Sequence, residues 1–179
     1  MTTVWLDGRF LAESKARIPA TDPGFTHGRG LFETLRAYGG VAFRLADHVE
    51  RMAESARRFR VPFKAPDLDP IVRKLCRLNR ASDGRVRITL SAGGRLLVTA
   101  QTRKPVPSSW IEKGTEVMVA PWRRDGRAPL CGHKSTNYWE NLLVHEEALE
   151  RGCADALFVG LRGELLEGAV TNVFLVVGG

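Results

Sequence analysis

The sequence predicts an α+β fold in two domains, and three features of the chain support that class. Residues 85–91 alternate between apolar and polar side chains and continue through a Gly-Gly pair into residues 96–102, which is typical of a β-hairpin. Apolar side chains recur at helical spacing after residues 47, 69 and 139. A stretch rich in proline and serine, 103–109, is typical of a linker. We therefore expect an N-terminal domain at 1–108, an interdomain segment and loop at 109–134, and the first part of a C-terminal domain at 135–179.

The composition is that of an ordinary globular protein. Of the 179 residues, 44% are hydrophobic and 26% are charged, and no apolar run is long enough to span a membrane. The first residues do not resemble a signal peptide, and the three widely spaced cysteines do not form a disulfide framework. We therefore expect a cytoplasmic protein. The net charge of +7 favours anionic partners, either nucleic acid or small phosphates and carboxylates.

The N-terminal third predicts strands joined by turns. Residues 4–11 predict a hairpin with Asp7-Gly8 at its turn, and residues 31–38 predict a strand that turns into a second one at 41–44. Between them, the segment 18–30 is rich in glycine and proline and predicts a structured loop. Its Gly28-x-Gly30 spacing lacks the third glycine of a dinucleotide fingerprint, and no strong strand precedes it, so we reject a Rossmann site.

Two helices are predicted next. The first has Asp47 as its N-cap and ends before Val61-Pro62, and the second has Asp69 as its N-cap. On the first helix, His48 and Arg51 lie three residues apart and therefore on one side, beside the apolar stripe. An arginine in that position can bury its stem and direct its guanidinium at an anion.

The second half predicts a strand, a helix and three further strands. The helix, at 139–152, would end with Gly152 at its C′ position. Its inward side chains would be Leu142, Val144, His145 and Leu149. The strands are expected at 116–122, 154–159, 164–167 and 172–177. The last of them is strongly apolar and expected to be buried, yet the sequence stops two residues later, so we expect a fragment of a longer fold.

Lys134 has an unusual setting, between a loop at 123–131 and the helix predicted from Trp139. A lysine that lies where a loop meets packed structure can lose part of its hydration and present a neutral, nucleophilic amine. A lysine needs such an amine to form a Schiff base with a carbonyl compound. Taken alone, the position also suits a solvated surface charge, so the rest of the chain decides between the two.

Five segments, in this order along the chain, resemble those of the class IV aminotransferases, the fold-type IV pyridoxal-phosphate enzymes. They are residues 7–10 (DGRF), 24–36 (GFTHGRGLFETLR), 48–52 (HVERM), 133–138 (HKSTNY) and 167–174 (EGAVTNVF). That group contains branched-chain aminotransferases, D-amino-acid aminotransferases and 4-amino-4-deoxychorismate lyases. The resemblance implies the D-amino-acid aminotransferase-like fold, with an N-terminal α/β domain, a C-terminal cofactor-binding domain and the cofactor in the cleft between them. Members continue for about a hundred further residues, so we expect the second domain to be incomplete.

The resemblance also implies roles for individual residues. Lys134 resembles the lysine that forms the Schiff base with pyridoxal 5′-phosphate and moves a proton between substrate and cofactor. Glu167 resembles the carboxylate that pairs with the pyridine nitrogen, and Arg51 resembles the arginine on the cofactor phosphate. Tyr138 resembles the tyrosine on the cofactor's phenolic oxygen, and Asn172 lies in the segment that supports the site.

The implied function is the transfer of an amino group between an amino acid and a 2-oxo acid, in a homodimer. Arg87 resembles a position that can hold a substrate carboxylate, and Phe32 is assigned to the substrate side with it. The alternative within the family is a 4-amino-4-deoxychorismate lyase, which uses the same cofactor and lysine to eliminate pyruvate.

Two other functions, nucleic-acid binding and metal binding, have less support in the sequence than the aminotransferase. A non-catalytic module that binds nucleic acid would fit the basic charge, but no aromatic platform alternates with the basic residues. A metal site at Cys131-x-His133 would have two ligands and lacks the partners of a tetrahedral site. We therefore expect no metal, no nucleic acid and no membrane among the partners.

Overall fold

A computed structural model describes residues 2–178 and confirms the α+β class. The chain divides into two compact units. The first comprises the chain up to Lys104 together with His133–Asn137, and the second comprises Pro105–Gly132 and the chain from Tyr138 onward. This division differs from the boundaries expected at 108 and 134, because residues 105–132 lie with the second unit and residues 133–137 with the first.

The first unit is built on a six-stranded antiparallel sheet in the order β2-β1-β6-β5-β3-β4. The strands are β1 (Thr3–Leu6), β2 (Arg9–Ala12), β3 (Gly30–Tyr38), β4 (Val41–Ala42), β5 (Gly84–Ser91) and β6 (Leu96–Thr102). The predicted hairpins are confirmed at β1–β2 and β5–β6. Alternation buries one face of β5, where Val86 and Ile88 are fully buried and Leu90 is 1% exposed.

Three α-helices belong to this unit: α1 (Pro23–His27), α2 (Leu45–Phe59) and α3 (Leu68–Leu78). Helix α1 is a single short helix inside the segment predicted as a loop, capped by the Asp22 carboxylate, which accepts from Gly24 N. Helices α2 and α3 pack their apolar side chains against the buried face of the sheet.

The predicted N-caps of both longer helices are wrong by two or three residues. Helix α2 begins after Arg44, a non-glycine residue with φ 52°, and Asp47 lies in its first turn and forms an ion pair with Arg44. In α3 the cap is Asp67, whose carboxylate accepts from Asp69 N. In both helices an aspartate in the first turn still complements the positive end of the helix dipole, which is why the sequence signal was displaced rather than absent.

The second unit has a three-stranded sheet in the order β7-β8-β9. Strands β7 (Val117–Arg124) and β8 (Asp155–Gly160) are parallel, and β9 (Leu165–Gly168) pairs with β8 in the antiparallel sense. The connection from β7 to β8 contains helix α5 (Trp139–Glu150), as parallel neighbours require a long crossover. A short helix, α4 (Ser108–Lys113), overlaps the end of the predicted linker.

The inward face of α5 differs from the predicted one. Val144 is fully buried, as expected, and His145 is partly buried, but Leu142 and Leu149 are 43% and 52% exposed. Asn141 and Ala148 take the buried positions instead. Asn141, Val144 and Ala148 lie at i, i+3 and i+7 and form one stripe along the helix. Because Asn141 is polar, the hydrophobic pattern of the sequence did not identify this stripe.

The apolar segment predicted as a buried strand at 172–177 is not a strand. Residues 172–178 have no regular secondary structure, and Phe174 and Leu175 are 87% and 86% exposed. Apolar character alone does not make a strand, because its backbone groups also need a ladder partner, and no strand between residues 2 and 178 pairs with this segment. Within the same residues, no helix combines the length and apolar content needed to cross a bilayer.

The buried face of β5 should dominate the stability of the first unit. We expect Ile88→Ala to lower the free energy of unfolding by about 3 kcal/mol, since it leaves a cavity in a fully buried site. Urea unfolding followed by circular dichroism measures this. Ile111→Ala is the control, because that side chain is 78% exposed, and its unfolding should match the wild type. Equal effects of the two substitutions would contradict the assigned core.

Candidate functional site

Lys134 lies on a short segment, His133–Asn137, that pairs with one end of β3. Phe32 N donates to Lys134 O and Thr136 N donates to Gly30 O, both at 2.9 Å. Strand β4 pairs with β3 only at Ala37 and Tyr38, so the other end of this sheet edge is open to the lysine segment. The backbone of Lys134 is therefore held as a residue of a short edge strand would be.

Side chains hold the same segment from both sides of Lys134. The carbonyl oxygen of Gly28 accepts from Thr136 Oγ1 at 2.7 Å and from Asn137 Nδ2 at 2.9 Å. On the other side, His133 Nδ1 lies 3.0 Å from Ser55 Oγ, and its ring meets Phe59 edge-on at 4.8 Å between centroids. Lys134 is thus fixed by its neighbours as well as by its own backbone.

The Gly28-x-Gly30 spacing has its explanation here. A Cβ atom at Gly30 would lie 2.8 Å from Thr136 Oγ1 and 3.0 Å from the Leu90 carbonyl oxygen. At Gly28, whose φ is 64°, a Cβ atom would lie 2.5 Å from Asn137 Oδ1. The two glycines allow the lysine segment to approach β3 closely.

Lys134, Phe32 and Arg87 come together in the first unit. Lys134 Nζ lies 5.4 Å from the centroid of the Phe32 ring, and Arg87 Cζ lies 3.8 Å from the same centroid. Phe32 is 3% exposed, so its ring is a fixed platform for both cations. Two positive groups on one ring favour an anionic ligand beside them, such as a carboxylate or a phosphate.

Arg51 is part of a buried charge network on the opposite side of β3. Its Nε donates to Glu33 Oε1 at 2.7 Å and its Nη2 donates to Oε2, while His48 Nδ1 lies 2.7 Å from Oε2. Burial alone would raise the pKa of the Glu33 carboxyl, but hydrogen bonds from His48 and Arg51 outweigh burial and hold that pKa below its usual value. The Arg51 side chain is 47% exposed, so its guanidinium can also contact a ligand at the surface.

Sequence reasoning missed Glu33 as a partner of Arg51. The signal was present: Glu33 shares the inward face of β3 with Leu31, Leu35 and Ala37, where an acidic side chain needs a buried partner. What could not be read from the sequence was that His48 and Arg51 would lie across from it.

Tyr138 and Glu167 lie in the second unit and are linked through Asn141 and Arg124. Tyr138 Oη donates to Ala169 O at 2.8 Å, and Asn141 Nδ2 donates to the same oxygen at 2.7 Å. Glu167 Oε1 accepts from Arg124 Nη1 at 2.9 Å. Burial, with the negative charge of Glu167 nearby, raises the pKa of the Tyr138 phenol above its usual value, so the phenol keeps its proton in neutral solution.

Of the predicted site residues, Asn172 is the one that the surrounding structure holds least. It is exposed in the irregular segment 172–178, and its side chain makes no hydrogen bond to the rest of residues 2–178. The predicted residues therefore form two groups: Lys134, Phe32, Arg87 and Arg51 in the first unit, and Tyr138, Glu167 and Asn172 in the second. Within residues 2–178, no three His, Cys, Asp or Glu side chains are arranged to hold a metal ion.

Each unit carries groups whose chemistry suits pyridoxal 5′-phosphate, the cofactor implied by the sequence. The amine of Lys134 suits its aldehyde, and the half-exposed guanidinium of Arg51 suits its phosphate. Glu167, whose side chain is 51% exposed, offers a carboxylate for its ring nitrogen, and the Tyr138 hydroxyl suits its phenolic oxygen.

The close approach of Thr136 to Gly30 predicts that a larger residue at position 30 lowers the stability of the fold. Gly30→Ala should lower the free energy of unfolding by about 2 kcal/mol, because the added methyl group meets Thr136 and a backbone oxygen. It should also weaken the protection of the Thr136 amide in hydrogen exchange, since that amide donates to Gly30 O. Gly126→Ala is the control, because its Cβ would meet nothing within 4 Å. An unchanged Thr136 amide in Gly30→Ala would argue against the pairing.

Glu33 should make the stability depend on pH. Since its folded-state pKa lies below the unfolded value of about 4.3, its contribution is present above that value and lost as the pH falls through the folded pKa. Glu33→Gln should cost about 2 kcal/mol at pH 7, allowing for the half-exposed Arg51, and less in acid. Urea titrations between pH 2 and 7 measure this, with Glu54→Gln as control, because Glu54 is exposed on α2, the helix that carries His48 and Arg51. Parallel pH curves for Glu33→Gln and the wild type would refute the network.

Comparison with known proteins places the chain in a family. The family described as "Amino-transferase class IV" matches residues 30–179. The D-alanine aminotransferase of Staphylococcus haemolyticus is 29% identical over 196 residues, covering 100% of this chain and 67% of that protein. The aminodeoxychorismate lyase of Bacillus subtilis is 28% identical over 185 residues, covering 96% of this chain and 63% of that protein.

A solved structure has the same fold. The branched-chain aminotransferase of Thermoproteus uzoniensis superposes with a TM-score of 0.79 at 27% identity, over 94% of this chain and 63% of that one. The chain thus spans about two thirds of the length of the relatives it matches. Because the family match extends over most of the sequence, this chain belongs to the class IV aminotransferases, which use pyridoxal phosphate.

Proposed function

We propose that this protein is a pyridoxal-phosphate-dependent aminotransferase that transfers an amino group between an amino acid and a 2-oxo acid. The observation that carries the proposal is the setting of Lys134, whose backbone pairs with β3 while its Nζ lies by the Phe32 ring, which Arg87 also contacts. A catalytic amine needs such a fixed position, because nucleophilic attack and proton transfer both require close alignment with the reacting atom.

The chain's own residues would divide the work as follows. Pyridoxal phosphate, when bound, supplies an aldehyde carbon and an electron-accepting ring. Lys134 Nζ would hold the cofactor at that aldehyde carbon and, once released as a free amine, would move a proton between the substrate Cα and the cofactor C4′. Arg87 would hold the substrate carboxylate beside Phe32, on the platform where its guanidinium already lies.

The other predicted residues would hold the cofactor. Arg51 would donate to the phosphate, Glu167 would accept from the protonated ring nitrogen, and the Tyr138 hydroxyl would donate to the phenolic oxygen. Asn172 lies in the segment that would support the site. From the family resemblance we also infer a homodimer and a cytoplasmic location.

A second candidate is 4-amino-4-deoxychorismate lyase activity, because the matched relatives include a lyase. Both reactions need the same lysine and cofactor, so the residues named above do not separate them. A lyase releases pyruvate and an aromatic amine from one substrate, whereas an aminotransferase consumes a 2-oxo acid in step with the amino donor. Assays with and without added 2-oxo acid distinguish the two.

Lys134 should carry the cofactor covalently. Incubation with pyridoxal phosphate and reduction with borohydride should add one phosphopyridoxyl group, located at Lys134 by peptide mass spectrometry, because reduction makes the lysine linkage permanent. Lys134→Ala should gain none at this position. Lys113→Ala, which removes another lysine, is the control and should label as the wild type does. Labelling spread over several lysines, or equal labelling of Lys134→Ala, would overturn the assignment.

A further inference from the structure

The carboxylate of Glu167 is held by one oxygen and open at the other. Arg124 Nη1 donates to Oε1 at 2.9 Å, and Oε2 makes no hydrogen bond within residues 2–178. The side chain is 51% exposed. A carboxylate held in this way keeps a fixed orientation and presents its second oxygen to a ligand.

Arg124 is itself fixed on several sides. Its Cζ lies 3.3 Å from the centroid of the Phe158 ring, which is fully buried, and its Nη2 donates to Asn141 Oδ1 at 2.6 Å. Only 19% of the side chain is exposed. Stacking sets the plane of the guanidinium, and the two hydrogen bonds set its rotation within that plane. The Arg124–Glu167 ion pair is therefore more ordered than a pair of two exposed side chains.

Asn141 connects this arginine to Tyr138. Its Oδ1 accepts from Arg124, while its Nδ2 donates at 2.7 Å to Ala169 O, the oxygen that also accepts from the Tyr138 hydroxyl. Asn141 is 7% exposed, and both ends of its amide are used. An amide can accept from a guanidinium through its oxygen and donate to a carbonyl through its nitrogen at the same time.

Asp155, which is 3% exposed, holds the turn that carries Ala169. Its Oδ2 accepts from Thr171 Oγ1 at 2.6 Å and from Val170 N at 3.2 Å, and its Oδ1 lies 3.0 Å from His145 Nδ1. The oxygen shared by Tyr138 and Asn141 is therefore in a fixed place, because the residues that follow it are held by a buried carboxylate.

We propose that Arg124 and Asn141 are positioning residues that hold the Glu167 carboxylate and the Tyr138 hydroxyl in one rigid arrangement, with Glu167 Oε2 directed at the ring nitrogen of the cofactor. The inference rests on the proposed cofactor contacts of Glu167 and Tyr138 and adds the residues that orient them. Neither Arg124 nor Asn141 would touch the cofactor. They would act by holding Glu167 and Tyr138, the two groups that contact the cofactor, in fixed orientations.

The arrangement itself is tested in the full chain without cofactor. In nitrogen-15 NMR spectra, the Arg124 guanidinium protons should exchange slowly with water, because stacking and two hydrogen bonds protect them. They should exchange at least tenfold faster in Asn141→Ala, which removes one bond. Fast exchange in the wild type, or no change in Asn141→Ala, would overturn the proposal whether or not the chain binds the cofactor.

The consequence for the cofactor is tested by titrating pyridoxal phosphate into matched variants. Arg124→Gln should raise its dissociation constant about tenfold and shift the absorption band of the bound cofactor, since Glu167 would lose its orientation. Arg127→Gln is the control in the same unit, because that side chain is 85% exposed and pairs with Asp125. Its affinity and band should match the wild type.

Arg124→Lys separates orientation from charge. A lysine keeps the positive charge but cannot bridge Glu167 and Asn141 in one plane, so it should behave like Arg124→Gln. A wild-type dissociation constant and absorption band in Arg124→Lys, or in Arg124→Gln, would overturn the positioning role. Urea unfolding of each variant shows whether it folds. A wild-type chain that gains no adduct at Lys134 would count against the proposed function alone, and the exchange measurement would then decide the arrangement.

Discussion

The pairing of the lysine segment with β3 is the interaction on which the candidate site depends. It joins residues about a hundred positions apart, since Asn137 donates to the carbonyl of Gly28 at a separation of 109 residues. The pairing is possible because β4 covers only one end of β3, which leaves an open edge for a second partner. An open edge is usually a liability for a sheet. Here its backbone groups fix the one amine on which the proposed chemistry relies.

Each unit uses arginine and a carboxylate in a different way. In the first, Glu33 is 1% exposed and meets Arg51 and His48, so the buried charge is neutralised by hydrogen-bonded partners. In the second, Glu167 is half exposed and Arg124 is the less exposed partner, stacked on Phe158. The first arrangement ties the strand to its helix. The second orders a carboxylate that stays accessible to a ligand.

Local patterns predicted the elements well where alternation or helical spacing coincided with burial. The β5–β6 hairpin and the C-terminal ends of α2 and α5 followed from them, because apolar periodicity and breakers act within a few residues. The prediction failed at 172–177, where apolar content was read as a buried strand. A strand needs a partner ladder, and no local pattern reports whether one exists.

The sequence alone determined the α+β class, and it singled out Lys134, Arg51, Tyr138 and Glu167 as the residues proposed to carry the chemistry, since they lie in segments that resemble one family. Only the tertiary structure decided which partners orient them. Glu33 meets Arg51 across 18 residues, and Arg124 meets Glu167 across 43. The physical reason is that a hydrogen bond depends on distances of about 3 Å in space, which the packing of strands and helices sets and the spacing along the chain does not.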